Sequence, residues 1–233
     1  MRGVKTLNFT GNGHREAWQR HVFDPGCRDC PRLAALLQEV RRERPGYHAG
    51  PVPPFGDPAA ALLVVGLAPG MHGANRTGRP FTGDHAGILL YRTLHRFGFA
   101  SHAGSDDPGD GLSLTGCRIT NAVKCLPPQN KPTPAEVRGC NRYLAAEMTS
   151  NPPRAVLALG RVAHDAVLRA QALDGGRFRF AHHAVHDLPG GRRLFDSYHC
   201  SRYNTQTKRL TEAMFEAVVH DIAEYLGRPS RTG

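Results

Sequence analysis

Residues 61–70 read ALLVVGLAPG, a run of aliphatic residues that passes directly into a loop containing glycine and proline. A short apolar run bounded by such loop residues is typical of a strand buried in a parallel sheet. Three more runs predict strands: RITNAVK at 118–124, RAVLALG at 154–160 and RRLFDSYH at 192–199. The sequence therefore predicts a central, mostly parallel sheet of about four strands.

Segments with helical spacing of apolar residues separate these strands. Helices are expected at 31–44, 88–99, 134–149, directly after Gly160, and at 205–226. Strands that alternate with helices indicate a doubly wound α/β domain, so we predict a three-layer α/β/α fold with helices on both faces of the sheet. The stretches 45–58 and 173–192 are predicted to be irregular connections, because they are rich in proline and glycine or in histidine.

The composition favours one intracellular domain with a polyanionic partner. A chain of 233 residues suits a single α/β domain, expected over 21–228, with the polar residues 1–20 as a loose tail. The 30 basic and 20 acidic residues give a formal charge of +10, which favours nucleic acid as the partner. The sequence shows neither a signal-peptide pattern nor an apolar run long enough to span a bilayer, so we expect a cytoplasmic protein with no membrane partner.

Three polar loops follow predicted strands, at 68–84, 125–132 and 199–208. Ligands of open α/β sheets bind beyond the carboxyl ends of the strands. Loops that leave the strands at this edge lie close together even when they are far apart in the sequence. We therefore expect these three loops to form the functional site.

Four of the six cysteines form two pairs that suit a metal centre. Cys27 and Cys30 make a C-x2-C pair, while Cys125 and Cys140 are separated by 14 residues. Thiols of an intracellular protein stay reduced, so clustered cysteines indicate a zinc ion or an iron–sulfur cluster before disulfides. The other interpretation is that Cys125 and Cys140 are ordinary buried thiols. The spacing alone does not choose between zinc and iron.

The loops themselves match a known family. They read GLAPGMHGANRTGRPFTGD at 66–84, ITNAVKCLPPQNKPTP at 119–134 and YHCSRYNTQTKRLT at 198–211. Together with the four cysteines, these segments resemble the uracil-DNA glycosylase superfamily, and most closely its family 5, the type-b enzymes of bacteria and archaea. The resemblance runs from about Cys27 to the last helix.

This resemblance implies an enzyme that hydrolyses the N-glycosidic bond of uracil in DNA and leaves an abasic site. Hypoxanthine and xanthine are further implied substrates, and the nucleotide has to flip out of the duplex to be reached. The implied partner is double-stranded or single-stranded DNA containing deaminated bases, bound by a monomer. The implied cofactor is a structural [4Fe–4S] cluster held by Cys27, Cys30, Cys125 and Cys140.

Two side chains are assigned to bond breaking by the resemblance. Asp84, in FTGD, would orient or activate the attacking water, although an aspartate before a helix is also a favoured N-cap. We expect the capping N–H groups to lower the pKa of Asp84 and keep it ionised. His199 would donate a hydrogen bond to the leaving base, the alternative being an ordinary histidine at a strand end.

The base pocket is assigned to residues of the first and second loops. Phe81 would stack on the extruded base, unless it is simply a core phenylalanine. Gly66 and Ala68, in GLAPG, would line the pocket. Asn121 departs from the type-b pattern, in which many members have alanine; family 4 enzymes have asparagine here, where its amide reads the uracil edge. We therefore expect Asn121 to take part in catalysis and to favour uracil.

The remaining assignments concern DNA. Asn130 and Asn204 would lie beside the substrate, the alternatives being a turn residue and a helix cap. Phosphate contacts are expected from polar and cationic side chains of the first and third loops, namely Arg76, Arg79, Ser201, Arg202, Lys208 and Arg209. Cys200, although adjacent to His199, is left outside the metal centre, as is Cys117.

Two other functional classes use the same features. A non-catalytic DNA-binding module could be stapled by a metal or an iron–sulfur centre, but it would not need Asp84, Phe81 and His199 at one sheet edge. An enzyme of nucleotide metabolism could bind phosphate with GLAPG, but this loop lacks the Lys–Ser/Thr ending of a P-loop.

Overall fold

One sheet of six strands forms the centre of the computed structural model, which describes residues 23–228. The strands are β1 (Phe55–Gly56), β2 (Leu62–Gly66), β3 (Cys117–Asn121), β4 (Ala155–Leu159), β5 (Val185–Leu188) and β6 (Arg192–Ser197). Their order is β1-β3-β2-β4-β6-β5, with parallel pairing among the inner four and antiparallel pairing at both edges. The mostly parallel α/β fold is thus confirmed. The predicted tail at 1–20 lies outside the described residues.

The two edge strands were not predicted. β1 lies in the stretch 45–58 and β5 in the stretch 173–192, both of which were expected to be irregular. β1 has only two residues, and β5 buries only its last residue, Leu188, so neither has the apolar run of a buried strand. Pairing with the neighbouring strands β3 and β6 forms them instead.

Seven α-helices lie within residues 23–228. They are α1 (Pro31–Glu43), α2 (Ala74–Thr77), α3 (His85–Arg96), α4 (Pro134–Ser150), α5 (Arg161–Ala170), α6 (Arg202–Gln206) and α7 (Glu212–Tyr225). The single helix predicted at 205–226 is wrong, because α6 and α7 are separate. Lys208 between them has a left-handed backbone (φ 57°), and Thr211 begins α7 by accepting the Met214 N–H. None of these helices combines the length and apolar character needed to cross a bilayer.

Helices cover both faces of the sheet, so the core has two halves. β2 sends Leu62 and Val64 into one half, which α3 and α7 complete, and Leu63 and Val65 into the other, which α4 and α5 complete. This alternation buries the whole of β2 and explains its continuous apolar run. The three-layer prediction is confirmed.

The carboxyl ends of β2, β3 and β6 point to the same edge of the sheet, as parallel pairing requires. The loops that follow them therefore meet there. A direct contact joins the start of α3, next to the first loop, with the third loop, because His85 Nε2 and Thr205 Oγ1 are 2.9 Å apart. The edge expected to hold the site is thus the one at which the three loops converge.

Candidate active site

Gly66 and Asn121 lie side by side at the place expected to form the base pocket. They are the last residues of β2 and β3 and lie opposite each other in the sheet. A methyl group at Gly66 would lie 2.3 Å from Asn121 Oδ1 and 2.6 Å from Phe81 Cζ. Both of those side chains are buried and have little room to move aside. Glycine is therefore required for the amide and the ring to meet at this point.

Asn121 presents a buried acceptor to this pocket. The residue is 4% exposed, and within the described part of the chain its Oδ1 atom has no hydrogen-bond partner. Leaving such an oxygen unpaired costs about 1–3 kcal/mol. The position therefore suits a ligand that offers an N–H group, which is the role predicted for Asn121.

The ring of Phe81 lies beside Gly66 and is also in contact with His199. Their rings are stacked, with centroids 6.0 Å apart and planes inclined by 29°. Phe81 has a φ of 55°, in the left-handed region that bulky residues rarely adopt, and such strain is typical of ligand sites. Burial lowers the pKa of His199 to about 4, so its ring is neutral at neutral pH. Among residues 23–228 no group is hydrogen-bonded to this ring, and its one N–H donor is available.

Asp84 begins α3 and turns its carboxylate toward the glycine loop. Its Oδ1 accepts the Gly87 N–H at 3.0 Å, so the N-cap interpretation holds. A methyl group at Gly73 would lie 2.4 Å from Oδ2, whereas Gly70 leaves 3.6 Å. One oxygen therefore serves the helix, and the other faces the loop of the candidate site.

The pKa of Asp84 differs from the expectation. Burial raises it above its ordinary value, although the N–H groups of Gly87 and Ala86 act in the opposite direction. Desolvation of the carboxylate thus outweighs capping. Burial and then the charge of Asp84 also raise the pKa of the Cys200 thiol, which places this carboxylate close to the third loop.

The third loop is fixed by its own side chains. Ser201 caps α6 by accepting the Asn204 N–H at 3.4 Å. Asn204 Nδ2 in turn donates to the His199 carbonyl at 2.8 Å. Asn204 therefore holds the backbone of His199, and the expectation that it caps the last helix is wrong because Thr211 does so.

Cys27, Cys30, Cys125 and Cys140 line one cavity, together with apolar side chains that include Leu33, Val123 and Tyr143. Burial and the neighbouring sulfurs raise the pKa of Cys125 to about 12. Two N–H groups point at the sulfurs: the Lys124 backbone N–H lies 3.3 Å from Cys140 Sγ, and an Arg142 nitrogen lies 3.5 Å from Cys27 Sγ. Anionic sulfurs would therefore have both a cavity and donors.

The spacing of the four sulfurs bears on the metal group that they could hold. Some groups of three metal-binding side chains in the described part of the chain have ligand atoms that all lie within 4.8 Å of one another. The four cysteines do not form such a group. Zinc–sulfur bonds of about 2.3 Å in a tetrahedron would place the sulfurs about 3.8 Å apart. The cavity therefore fits a larger thiolate-bound group better. Cys117 and Cys200 lie instead in the core half formed with α3 and α7.

Arg79 is not available for a phosphate. It is 6% exposed and pairs with Asp110 at 2.6 Å, and it also bonds Thr82 and Ser105. Its predicted DNA contact is therefore corrected: the guanidinium ties the first loop to residues 105–110. Arg76 bonds the His72 carbonyl but stays partly exposed, whereas the more exposed cations are Arg202, Lys208 and Arg209.

Two other predicted pocket residues lie elsewhere. Ala68 packs against the apolar cluster formed by Leu33, Val123, Cys140 and Tyr143. Asn130 is exposed at a left-handed position (φ 55°), and no bond within residues 23–228 connects its side chain with the pocket. Sequence reasoning in turn missed Gly73 and His85, which support Asp84 and join the loops. The glycine spacing in GMHG was the available signal for Gly73.

Known proteins of one family are similar to this chain. A family described as "Uracil DNA glycosylase superfamily" matches residues 53–223. The chain is 50% identical over 207 residues to a type-5 uracil-DNA glycosylase of Thermus thermophilus, covering 86% of this chain and 94% of that protein. Type-5 uracil-DNA glycosylases of Mycobacterium leprae (44% over 211 residues; 86% and 92% covered) and Pyrobaculum aerophilum (42% over 206 residues; 87% and 87%) are also similar.

Proposed function

Because the chain belongs to the uracil DNA glycosylase superfamily, and within it to the type-5 enzymes, we propose that it removes uracil from DNA. The reaction would hydrolyse the N-glycosidic bond and leave an abasic site. The observation that supports it best is the unpartnered Asn121 Oδ1 in the pocket beside Phe81. A base must leave the duplex to reach so buried a group, so base flipping is part of the proposal.

The Asn121 amide suits the edge of uracil. Uracil presents an N3–H donor next to a carbonyl acceptor, so Oδ1 can accept and Nδ2 can donate. Cytosine presents an unprotonated N3 at the same place, which would leave Oδ1 facing a lone pair. Phe81 supplies a ring face against which the base can stack. The pocket therefore favours uracil over cytosine.

His199 would stabilise the negative charge that develops on the base, and Asp84 would act on the water that attacks the sugar. The base leaves as an anion, and a neutral His199 can donate its N–H to the base carbonyl without giving up a proton. The sugar becomes electron-poor and needs water, whose proton the Asp84 carboxylate can accept. A raised pKa makes Asp84 a better base than a solvated aspartate.

The test is base release from defined duplexes. The protein is incubated with a duplex containing one uracil and with its cytosine counterpart, and then with alkali, which breaks the strand at abasic sites. Breaks confined to the uracil strand are expected. A non-catalytic DNA-binding module would bind both duplexes and produce no breaks.

Hypoxanthine and xanthine extend the proposed substrate range, and Asn121 separates them from uracil. Asn121→Ala should slow uracil release about 5- to 160-fold, the effect of losing about 1–3 kcal/mol of a buried polar contact. Release of hypoxanthine should fall less, because the space opened beside Phe81 and Gly66 suits a larger base. Single-turnover rates on both substrates measure this, and equal losses would contradict a selective role for Asn121.

The four cysteines are proposed to hold a [4Fe–4S] cluster. The shared cavity, the N–H donors at Cys27 and Cys140, and the wide sulfur spacing support a cluster over a zinc ion. When bound, the cluster would cross-link the protein rather than take part in the reaction. Ala68, two residues after Gly66, packs against the same apolar cluster as the cysteines, so the link would extend to the residues beside Gly66.

Two cysteine variants separate ligand from core thiol. Cys125→Ala should lose most of the iron and acid-labile sulfide, because it removes one of four thiolates. Cys200→Ala is the control: this thiol is buried in the core half formed with α3 and α7, whereas Cys125 is partly exposed, and about four iron atoms per chain should remain. Metal analysis of anaerobically purified protein measures both. Stoichiometric zinc in place of iron would contradict the cluster.

Exposed cations around the site are proposed to contact DNA phosphates. Arg202 and Lys208 belong to the third loop beside His199, and Arg76 lies in the first loop. Ser201 lies at the start of α6 among them, although its hydroxyl already serves the helix cap. Such contacts position the duplex without reading its sequence. The protein is proposed to act as a monomer in the cytoplasm.

A further inference from the structure

The stretch RFRFAHH (177–183) borders the candidate site, although sequence reasoning assigned it no function. It leads into β5, which runs antiparallel to β6, so it lies where β6 ends. The Tyr198 N–H donates to His182 Nδ1 at 3.2 Å, and the two rings stack with centroids 5.1 Å apart. Tyr198 is adjacent to His199. This 177–183 segment is therefore a fourth element at the active-site edge.

Side chains of this segment alternate between inside and outside. Phe178 packs against the core half formed with α4 and α5, and Phe180 contacts the rings of His164 (5.6 Å) and Tyr198 (6.3 Å). Arg177 and Arg179 are exposed. Within residues 23–228 neither arginine forms an ion pair, in contrast to the buried Arg79. Both guanidinium groups are thus available to a partner.

A buried ion pair fixes the backbone of the segment. His164 Nδ1 lies 2.8 Å from an Asp196 oxygen, and His164 Nε2 lies 3.0 Å from the Phe178 carbonyl. The Phe178 carbonyl and an ionised Asp196 carboxylate both accept hydrogen bonds, so beside an ionised Asp196 both ring nitrogens carry protons and His164 is an imidazolium. Burial lowers the pKa of His164, but the hydrogen bond and charge of Asp196 outweigh it, and the pKa is raised. His186 adds a contact of 3.1 Å to Asp196.

We propose that the 177–183 segment is an additional DNA-binding element, in which Arg177 and Arg179 contact phosphates beside the extruded nucleotide. The inference rests on the proposed function. Two exposed guanidinium groups on an anchored backbone next to the His199 loop match a polyanion whose position relative to the pocket is fixed. Arg209, whose guanidinium lies 4.6 Å from the Tyr198 ring centroid, brings a third cation to the same surface.

The salt dependence of DNA binding tests the proposal. The probe is a duplex with a tetrahydrofuran abasic-site analogue, bound by wild type and by Arg177→Gln/Arg179→Gln. Each lost phosphate contact should reduce the slope of log affinity against log salt by about 0.9. Between about 50 and 200 mM salt, wild-type affinity should therefore fall about 12-fold more than that of the double variant.

The matched control is Arg154→Gln/Arg169→Gln. Arg154 precedes β4 and Arg169 lies in the last turn of α5, so both are exposed at the opposite edge of the sheet. This variant should keep the wild-type slope. A wild-type slope in Arg177→Gln/Arg179→Gln would overturn the inference. If wild type bound the abasic-site duplex but released no uracil from a separate uracil-containing duplex, the proposed function would fail instead, and the two failures are distinguishable.

The buried pair of His164 and Asp196, which anchors the 177–183 segment, can be tested separately. Nitrogen-15 NMR of the histidine rings should show both nitrogens of His164 protonated at a pH where free histidine is neutral. Asp196 and His186 face this ring, and Asp165 is its neighbour in α5. A bare ring nitrogen on His164, or a stoichiometric zinc ion bound with His186 and Asp196, would overturn the anchor as described.

Discussion

Asp84→Asn should reduce the single-turnover rate of uracil release by about 10²- to 10⁴-fold, the usual contribution of a positioned base. An amide cannot accept the proton of the attacking water. It can still accept the Gly87 N–H, so α3 should keep its N-cap and the thermal midpoint should change little. Thr211→Asn, at the cap of α7, is the matched control and should keep the rate. An unchanged rate in Asp84→Asn would remove this carboxylate from the mechanism.

The pH dependence of the same variant adds a second criterion. Burial raises the pKa of Asp84, so the carboxylate becomes protonated at a higher pH than a solvated aspartate. A protonated carboxyl group cannot act as a base. The wild-type rate should therefore fall as the pH is lowered through this raised pKa. Asp84→Asn, already slow, should lack that acidic limb.

His199→Ala should slow uracil release about 10²- to 10³-fold, as expected when one donor to a developing anion is removed. The ring also stacks on Phe81, so alanine alone does not separate the two roles. His199→Phe preserves the stacking but not the donor and should be as slow as alanine. His199→Gln returns an N–H donor and should recover part of the rate. A fast His199→Phe enzyme would show that stacking, and not donation, matters.

The ionisation of His199 makes this prediction specific. Its folded-state pKa of about 4 lies below the ordinary histidine value. The ring is therefore neutral from about pH 5 upward, and it should add no limb to the rate profile near the ordinary histidine pKa. Because protonation favours the unfolded chain, the contribution of this neutral ring to stability is fully present above the ordinary pKa and is lost as the pH falls toward 4.

The buried strands could be predicted because their information is local. β2 and β4 are continuous apolar runs followed by glycine, and burial on both faces produces such runs. β5 could not be predicted, because its exposed Val185 and Asp187 carry no such pattern and its partner β6 determines its pairing. The break between α6 and α7 depends on the left-handed backbone of Lys208, which the helical spacing does not reveal.

Part of the candidate site could likewise be predicted from local sequence, and the rest depends on the fold. Asp84, Phe81 and His199 stand in the motifs that carry the resemblance and lie at one sheet edge, and their roles stay predictions. Arg79 was assigned to DNA because a sequence does not show that Asp110, 31 residues later, neutralises it. The predicted direction of the pKa shift of Asp84 was also wrong. The capping position of Asp84 in the motif predicts two backbone donors, whereas the burial that outweighs them is a property of the whole fold.

The absence of a side chain at Gly66 also limits which substitutions this protein can accept. Every codon change that replaces glycine adds at least one carbon, which would lie 2.3 Å from Asn121 Oδ1. Alanine, the smallest replacement, would press a methyl group against Asn121 and the Phe81 ring while leaving β2 paired. Selection then has no intermediate residue through which position 66 could change while uracil removal continues. Innovation in substrate range would have to begin at Asn121 or Phe81, which surround it.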